Sequence, residues 1–69
     1  MTVTFKQIGS DKYHISINQD KYSSAFRVRL CRVLSGNEVT LDKEYFYDTY
    51  QKASRRYNQL VKKYIYGWN

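Results

Sequence analysis

Residues 25–47 read AFRVRLCRVLSGNEVTLDKEYFY, and the alternation in this stretch decides the fold. Phe26, Val28 and Leu30 alternate with Arg27 and Arg29, and a period of two marks a β-strand with one face buried. Gly36-Asn37 suits a tight turn and closes the stretch into a hairpin. That turn sets Leu34 opposite Val39, Val28 opposite Tyr45 and Phe26 opposite Tyr47, all with core-facing parity. The same register brings Arg29 across from Glu44 on the outer face, a favourable cross-strand pair. Arg32 opposite Leu41 is the misfit, a charge on the apolar side. Either it lies near the hairpin tip, beyond any covering layer, or the strand carries a bulge.

Upstream, a first hairpin is expected over residues 2–18. Val3 and Phe5 alternate with Thr2, Thr4 and Lys6, and Tyr13, Ile15 and Ile17 alternate with His14 and Ser16. A Gly9-Ser10-Asp11 turn would set Phe5 opposite Ile15 and Val3 opposite Ile17. Residues 18–24 form a polar connection.

Downstream, the periodicity changes to that of a helix. Tyr50, Ala53, Tyr57, Leu60, Val61, Tyr64 and Ile65 fall on one stripe at 100° per residue, with Lys52, Arg55, Arg56, Lys62 and Lys63 on the other side. Asp48 or Thr49 can cap the N-terminus and Gly67 can stop the C-terminus, so the helix spans about 49–66. Such a helix is ~27 Å long, about the length of an eight-residue strand, and can lie along one sheet face. The expectation is an α+β fold: an antiparallel meander of three to four strands over about 2–47, with one C-terminal amphipathic helix packed on one face (ββββα). Sixty-nine residues make a single domain, 1–69, with a thin core.

Composition narrows the function. Twelve Lys and Arg against six Asp and Glu give a net charge of +6, which favours polyanionic partners such as nucleic acid. No acidic residue follows Asp48. No run approaches the ~20 apolar residues of a membrane span, and the N-terminus lacks a signal pattern, so an intracellular, cytoplasmic protein without a membrane partner is expected. Cys31 is the only cysteine and His14 the only histidine. With no third orienting group they make no nucleophile–base arrangement, and Asp42, Glu44 and Asp48 follow no metal-loop pattern. The three glycines are scattered and form no phosphate loop. The chain is therefore read as non-enzymatic, with no cofactor and no metal.

Two basic surfaces remain. Lys52, Arg55, Arg56, Lys62 and Lys63 on the helix back would form a phosphate-binding ridge, or simply the wet side of an amphipathic helix. The open sheet face is expected to carry Thr4, Lys6, His14, Ser16, Arg27 and Arg29, either as a solvated polar face or as a groove reader. The strand order with a C-terminal helix resembles in outline the sheet-reading DNA-binding domains of some mobile-element integrases. That resemblance implies Lys6, Arg27 and Arg29 in a major groove, where Arg can bond guanine. Because the two surfaces face apart, one duplex cannot lie on both.

The aromatics offer a different kind of partner. Phe46 has outward parity, Trp68 trails the helix, and Tyr22 and Tyr66 fall outside the core pattern. These four could anchor a protein interface or a second copy. The reading is a small basic nucleic-acid-associated protein; the alternative is a protein–protein interaction module, such as a phage or mobile-element inhibitor or adaptor of a host or defence protein. Aromatics interleaved with the bases would favour nucleic acid, and aromatics on a separate apolar patch a protein.

Overall fold

A computed structural model describes residues 2–67. Four antiparallel strands, β1 (Thr2–Gly9), β2 (Tyr13–Asp20), β3 (Phe26–Ser35) and β4 (Glu38–Tyr47), form a meander in the order β1-β2-β3-β4. A helix, α1 (Tyr50–Leu60), continues into one π-helical turn over Val61–Ile65 and packs on one face of the sheet. The ββββα reading of the sequence is correct.

Packing follows the two periodicities. Ile15, Ile17, Val28 and Leu30 from the central strands are buried against Ala53, Tyr57, Leu60 and Val61 of the helical segment. Burying a side chain of this size removes about 1.5–3 kcal/mol of exposure cost, so these eight carry much of the stability. The helix covers chiefly β2, β3 and β4. It reaches β1 through Phe5, whose ring meets those of Phe26 and Tyr50 at 5.7 and 5.6 Å.

Thr49 caps α1 by accepting a hydrogen bond from the Lys52 amide. At the other end, Tyr66 N–H donates to the Val61 carbonyl, five residues back, at 3.1 Å. A turn this wide advances each residue by less than the α-helical 100°. Ile65 is thereby carried back toward the core it packs against. Gly67, at φ +72°, lies just beyond, where a left-handed residue ends a helix without strain.

The second hairpin turns at Gly36-Asn37. Gly36 has φ +55° and no non-glycine residue among those described has positive φ, the sign pattern of a type II′ turn. The pairs Phe26–Tyr47, Val28–Tyr45 and Arg29–Glu44 form as expected. Toward the tip, Leu34 does not pair with Val39, nor Arg32 with Leu41. Two bulges intervene: Asp42 is the extra residue on β4 and Leu34 on β3. Between them the partners are Cys31–Leu41, Arg32–Thr40 and Val33–Val39. The bulges remove the charge-on-apolar misfit by sending Leu41 to the opposite face.

The first hairpin departs further. The Ser10 hydroxyl accepts hydrogen bonds from the amides of Lys12 and Tyr13, and Ser10 N–H donates to the Tyr13 carbonyl. This serine-centred turn moves the tip to Asp11-Lys12. Ile8, not Phe5, pairs with Ile15, and Lys6, not Val3, pairs with Ile17. A bulge at Phe5 then shifts the register by one, so that Val3 pairs with Gln19. Both edge strands thus carry a bulge, a device that discourages edge-to-edge pairing.

Candidate nucleic-acid interface

The register decides which face each base occupies. Lys6 pairs with Ile17, a core residue, and so points to the helix side. Its ammonium lies 5.9 Å from the ring centroids of both Tyr50 and Tyr57. The expected place of Lys6 on the open face is therefore incorrect, because the odd shift in register set by the Ser10 turn reverses its parity.

Arg27 and Arg29 do occupy the open face, but acids hold both. Arg29 Nε donates to Glu44 Oε2 at 2.6 Å. The Arg27 guanidinium bonds Asp20 at 3.3 Å and lies 3.7 Å from the same Glu44 oxygen. The Arg27 side chain is only 15% exposed, and its Nε is buried without a hydrogen-bond partner. Asp20 is kept below the usual carboxylate range first by the Thr2 hydroxyl and then by Arg27. Alongside, Thr4 donates to Asn18 and Asn18 to Ser16, each at 2.8 Å. The polar groups of this face are largely engaged with one another.

The helix bases are distributed differently. Arg56 is half-buried at the β4 side, where Nε donates to the Tyr47 hydroxyl at 2.8 Å and the guanidinium lies 4.5 Å from the Tyr45 ring centroid. That hydrogen bond raises its pKa further. Lys52 pairs with Asp48 at 3.1 Å, on the surface. Among the described residues, Arg55, Lys62 and Lys63 have no acidic partner; Lys63 lies 5.4 Å from the Tyr64 ring centroid. Lys52, Arg55 and Arg56 converge with Tyr47 and Gln59 on a shallow hollow of about 200 Å3. A larger open hollow of about 490 Å3 is lined by Gln7, Ile8, Gly9, His14, Ile15 and Ser16, with no Asp, Glu, Lys or Arg among them.

The aromatics divide between surfaces. Phe46 is 62% exposed on the open face, opposite Arg27. Tyr22 is 90% exposed in the loop after β2, with the Lys21 ammonium 5.6 Å from its ring centroid. Tyr66 is exposed at the helix end, and Trp68 lies outside the described residues. His14 and Cys31 are direct partners across β2 and β3. No group of three or more His, Cys, Asp or Glu residues capable of holding a metal occurs among the described residues. No helix there is long and apolar enough to cross a membrane.

No family model, curated protein or solved structure matches the chain.

Proposed function

We propose that this is a non-enzymatic nucleic-acid-associated protein whose phosphate contacts are made by the helix. The observation that carries this is the convergence of Lys52, Arg55 and Arg56 on one hollow beside Tyr47, a short distance along the helix from Lys62 and Lys63. Of these five, Arg55, Lys62 and Lys63 have no acidic partner and are not tied to Tyr47 among the described residues, and such side chains bind phosphate and release counterions. The sheet face supports this role less well. Arg27 holds Asp20 with both terminal nitrogens and is only 15% exposed, and Arg29 has its Nε on Glu44, so helix contact with the backbone is favoured over groove reading.

The test is a salt-titrated binding assay on single- and double-stranded nucleic acid. Micromolar or tighter binding is expected at ~50 mM salt, with little sequence dependence. On duplex, log affinity should fall against log salt with a slope of about −0.9 per phosphate contacted. Changing Arg55, Lys62 and Lys63 to Gln should weaken binding and flatten the slope, and changing Arg27 and Arg29 should matter less. Absence of binding at that salt overturns the reading. The protein-interaction reading has its own support in Phe46, Leu41 and Val39, exposed on the sheet face away from the helix bases.

A further inference from the structure

The helix layer has three features that contact with a single phosphate strand does not call for. First, its crest is polar throughout. Between Gln51 and Lys63, ~18 Å of helix, every exposed side chain is a base or an amide, the amides being Gln51, Asn58 and Gln59. No aromatic ring and no acid is exposed there. A single strand is held largely by rings on which its bases stack, and a protein partner by apolar anchors. This crest offers neither. Second, the crest is convex, because the helix is the only element on its side of the sheet among the described residues. Third, bases stand on both flanks. Lys6 lies on the β1 flank, beside Tyr50 and Tyr57. Lys43 pairs with buried Leu30 and so shares the helix side on β4, the flank that also holds the hollow of Lys52, Arg55 and Arg56. Neither Lys6 nor Lys43 has an acidic partner among the described residues.

We propose that this helix enters the major groove of B-form duplex DNA, an inference that rests on the nucleic-acid reading and narrows it to one form. A helix about 10–12 Å thick fits a groove about 12 Å wide and about 8.5 Å deep. Filling that depth brings the sheet to the groove rim. The outer strands β1 and β4 are three strand spacings apart, ~14 Å, so Lys6 and Lys43 stand near the two phosphate rows that border the groove. On the β4 flank, the hollow of Lys52, Arg55 and Arg56 takes a phosphate of the nearer row. The crest amides then face the base edges. Each amide both donates and accepts, so it can meet either kind of group on the groove floor whatever the sequence. Phosphate contacts carry no sequence information either, and the selection is for duplex form. Duplex RNA is excluded, because its A-form major groove is deep and too narrow for protein side chains to read.

Fluorescence anisotropy with the full chain at ~100 mM salt tests this on probes of one sequence, about 20 nucleotides long: duplex DNA, duplex RNA and single-stranded DNA. Duplex DNA is expected to bind roughly tenfold or more tightly than either of the others, the worth of one well-placed base-edge contact. A fourth probe is the same DNA duplex with glucosylated 5-hydroxymethylcytosine, whose sugars fill the major groove and leave the phosphates unchanged. It should bind roughly tenfold more weakly than plain duplex, whereas netropsin in the minor groove should not compete. Asn58→Trp fills the crest without changing charge. It should weaken duplex DNA binding by a similar factor and leave single-strand binding no weaker, with far-UV circular dichroism unchanged. If that variant does not fold, the glucosylated probe with wild type decides. Equal affinity for plain and glucosylated duplex overturns groove entry and leaves contact with the backbone standing. Equal or tighter binding to duplex RNA or to single strand does the same, as does a folded Asn58→Trp that binds duplex DNA like wild type. No binding to any probe overturns this inference together with the nucleic-acid reading.

Discussion

Arg29 and Glu44 face each other across β3 and β4 with 2.6 Å between Nε and Oε2, and that carboxylate oxygen also lies 3.7 Å from Arg27 Nε. One half-buried acid thus serves two arginines and links β3 to β4 on the open face. Removing a partner from such a group costs more than the bond itself, because the groups left behind lose their compensation.

Glu44→Ala should therefore destabilise the fold by about 2 kcal/mol. Glu44→Gln should cost less, since an amide oxygen can still accept from Arg29. Denaturant titration measures both. Equal stability of wild type and Glu44→Ala would show that the pair is a surface contact without net effect.

Leu60 is buried between the helix and the sheet, and truncation there removes contacts that no neighbour can replace in so thin a core. Leu60→Ala should cost ~2–5 kcal/mol, enough to leave a large unfolded fraction at 25 °C. A thermal melt unchanged from wild type would contradict this.

Gly9 and His14 are cross-strand partners, and a Cβ at Gly9 would lie 2.8 Å from His14 Cδ2. Gly9→Ala forces the imidazole aside, and a loss of about 1 kcal/mol or less is expected, because the ring is at the surface and can swing away. In a His14→Ala background the same change should be neutral or stabilising, since alanine costs less entropy in a strand than glycine. A double-mutant cycle of urea midpoints reads the coupling.

The helix and the second hairpin were legible because their signals are local. The stripe from Ala53 to Val61 and the Gly36-Asn37 turn each require only neighbouring residues to agree. The bulges were not legible. An extra residue at Phe5, Leu34 or Asp42 leaves the composition of a strand unchanged and appears only in how the partner strand aligns with it. The first hairpin was misread because Gly9 is the conspicuous turn former, whereas the Ser10 hydroxyl sets the turn. Since side-chain direction alternates, an odd shift in register moved Lys6 from one face to the other. The pairing of Arg29 with Glu44 was legible because the two bulges, Leu34 on β3 and Asp42 on β4, cancel, so that beyond them the count from the turn holds again.

Stability should fall on both sides of a broad plateau in pH. Asp20 titrates below its ordinary 3.8 because Thr2 and Arg27 favour its charged form, and Asp48 does so because of Lys52. Their contribution is complete above the unfolded value and is lost as pH drops through the lowered one. Tyr57 behaves oppositely, since burial raises its phenol above 10.0. Between the unfolded and folded values the unfolded state has lost the proton that the native state keeps, so stability declines as pH rises past about 10. Urea midpoints across pH should show both limbs. Asp20→Asn should flatten the acid limb and Tyr57→Phe the alkaline one.

Arg55 and Arg56 are adjacent in sequence and line the same hollow, yet they should respond differently to the same substitution. Arg56 donates to the Tyr47 hydroxyl and stacks over Tyr45, tying α1 to β4 by a hydrogen bond and a cation–π contact. Arg56→Gln should lose about 1–2 kcal/mol, while Arg55→Gln should stay within ~0.5 kcal/mol of wild type. Arg56→Lys should recover only part of the loss, because an ammonium lacks the planar fork with which the guanidinium meets the Tyr47 hydroxyl and the Tyr45 ring together. In nucleic-acid binding the order should reverse. Arg55 is free to follow a phosphate, whereas Arg56 must leave Tyr47 or reach the phosphate with its remaining N–H groups. Arg55→Gln should therefore weaken binding at constant stability, and Arg56→Gln should lower stability more than affinity. Melting curves and salt-titrated affinities measured on the same two variants separate these outcomes. Equal effects of both substitutions in both assays would mean that the Tyr47 hydrogen bond does not hold Arg56 in solution.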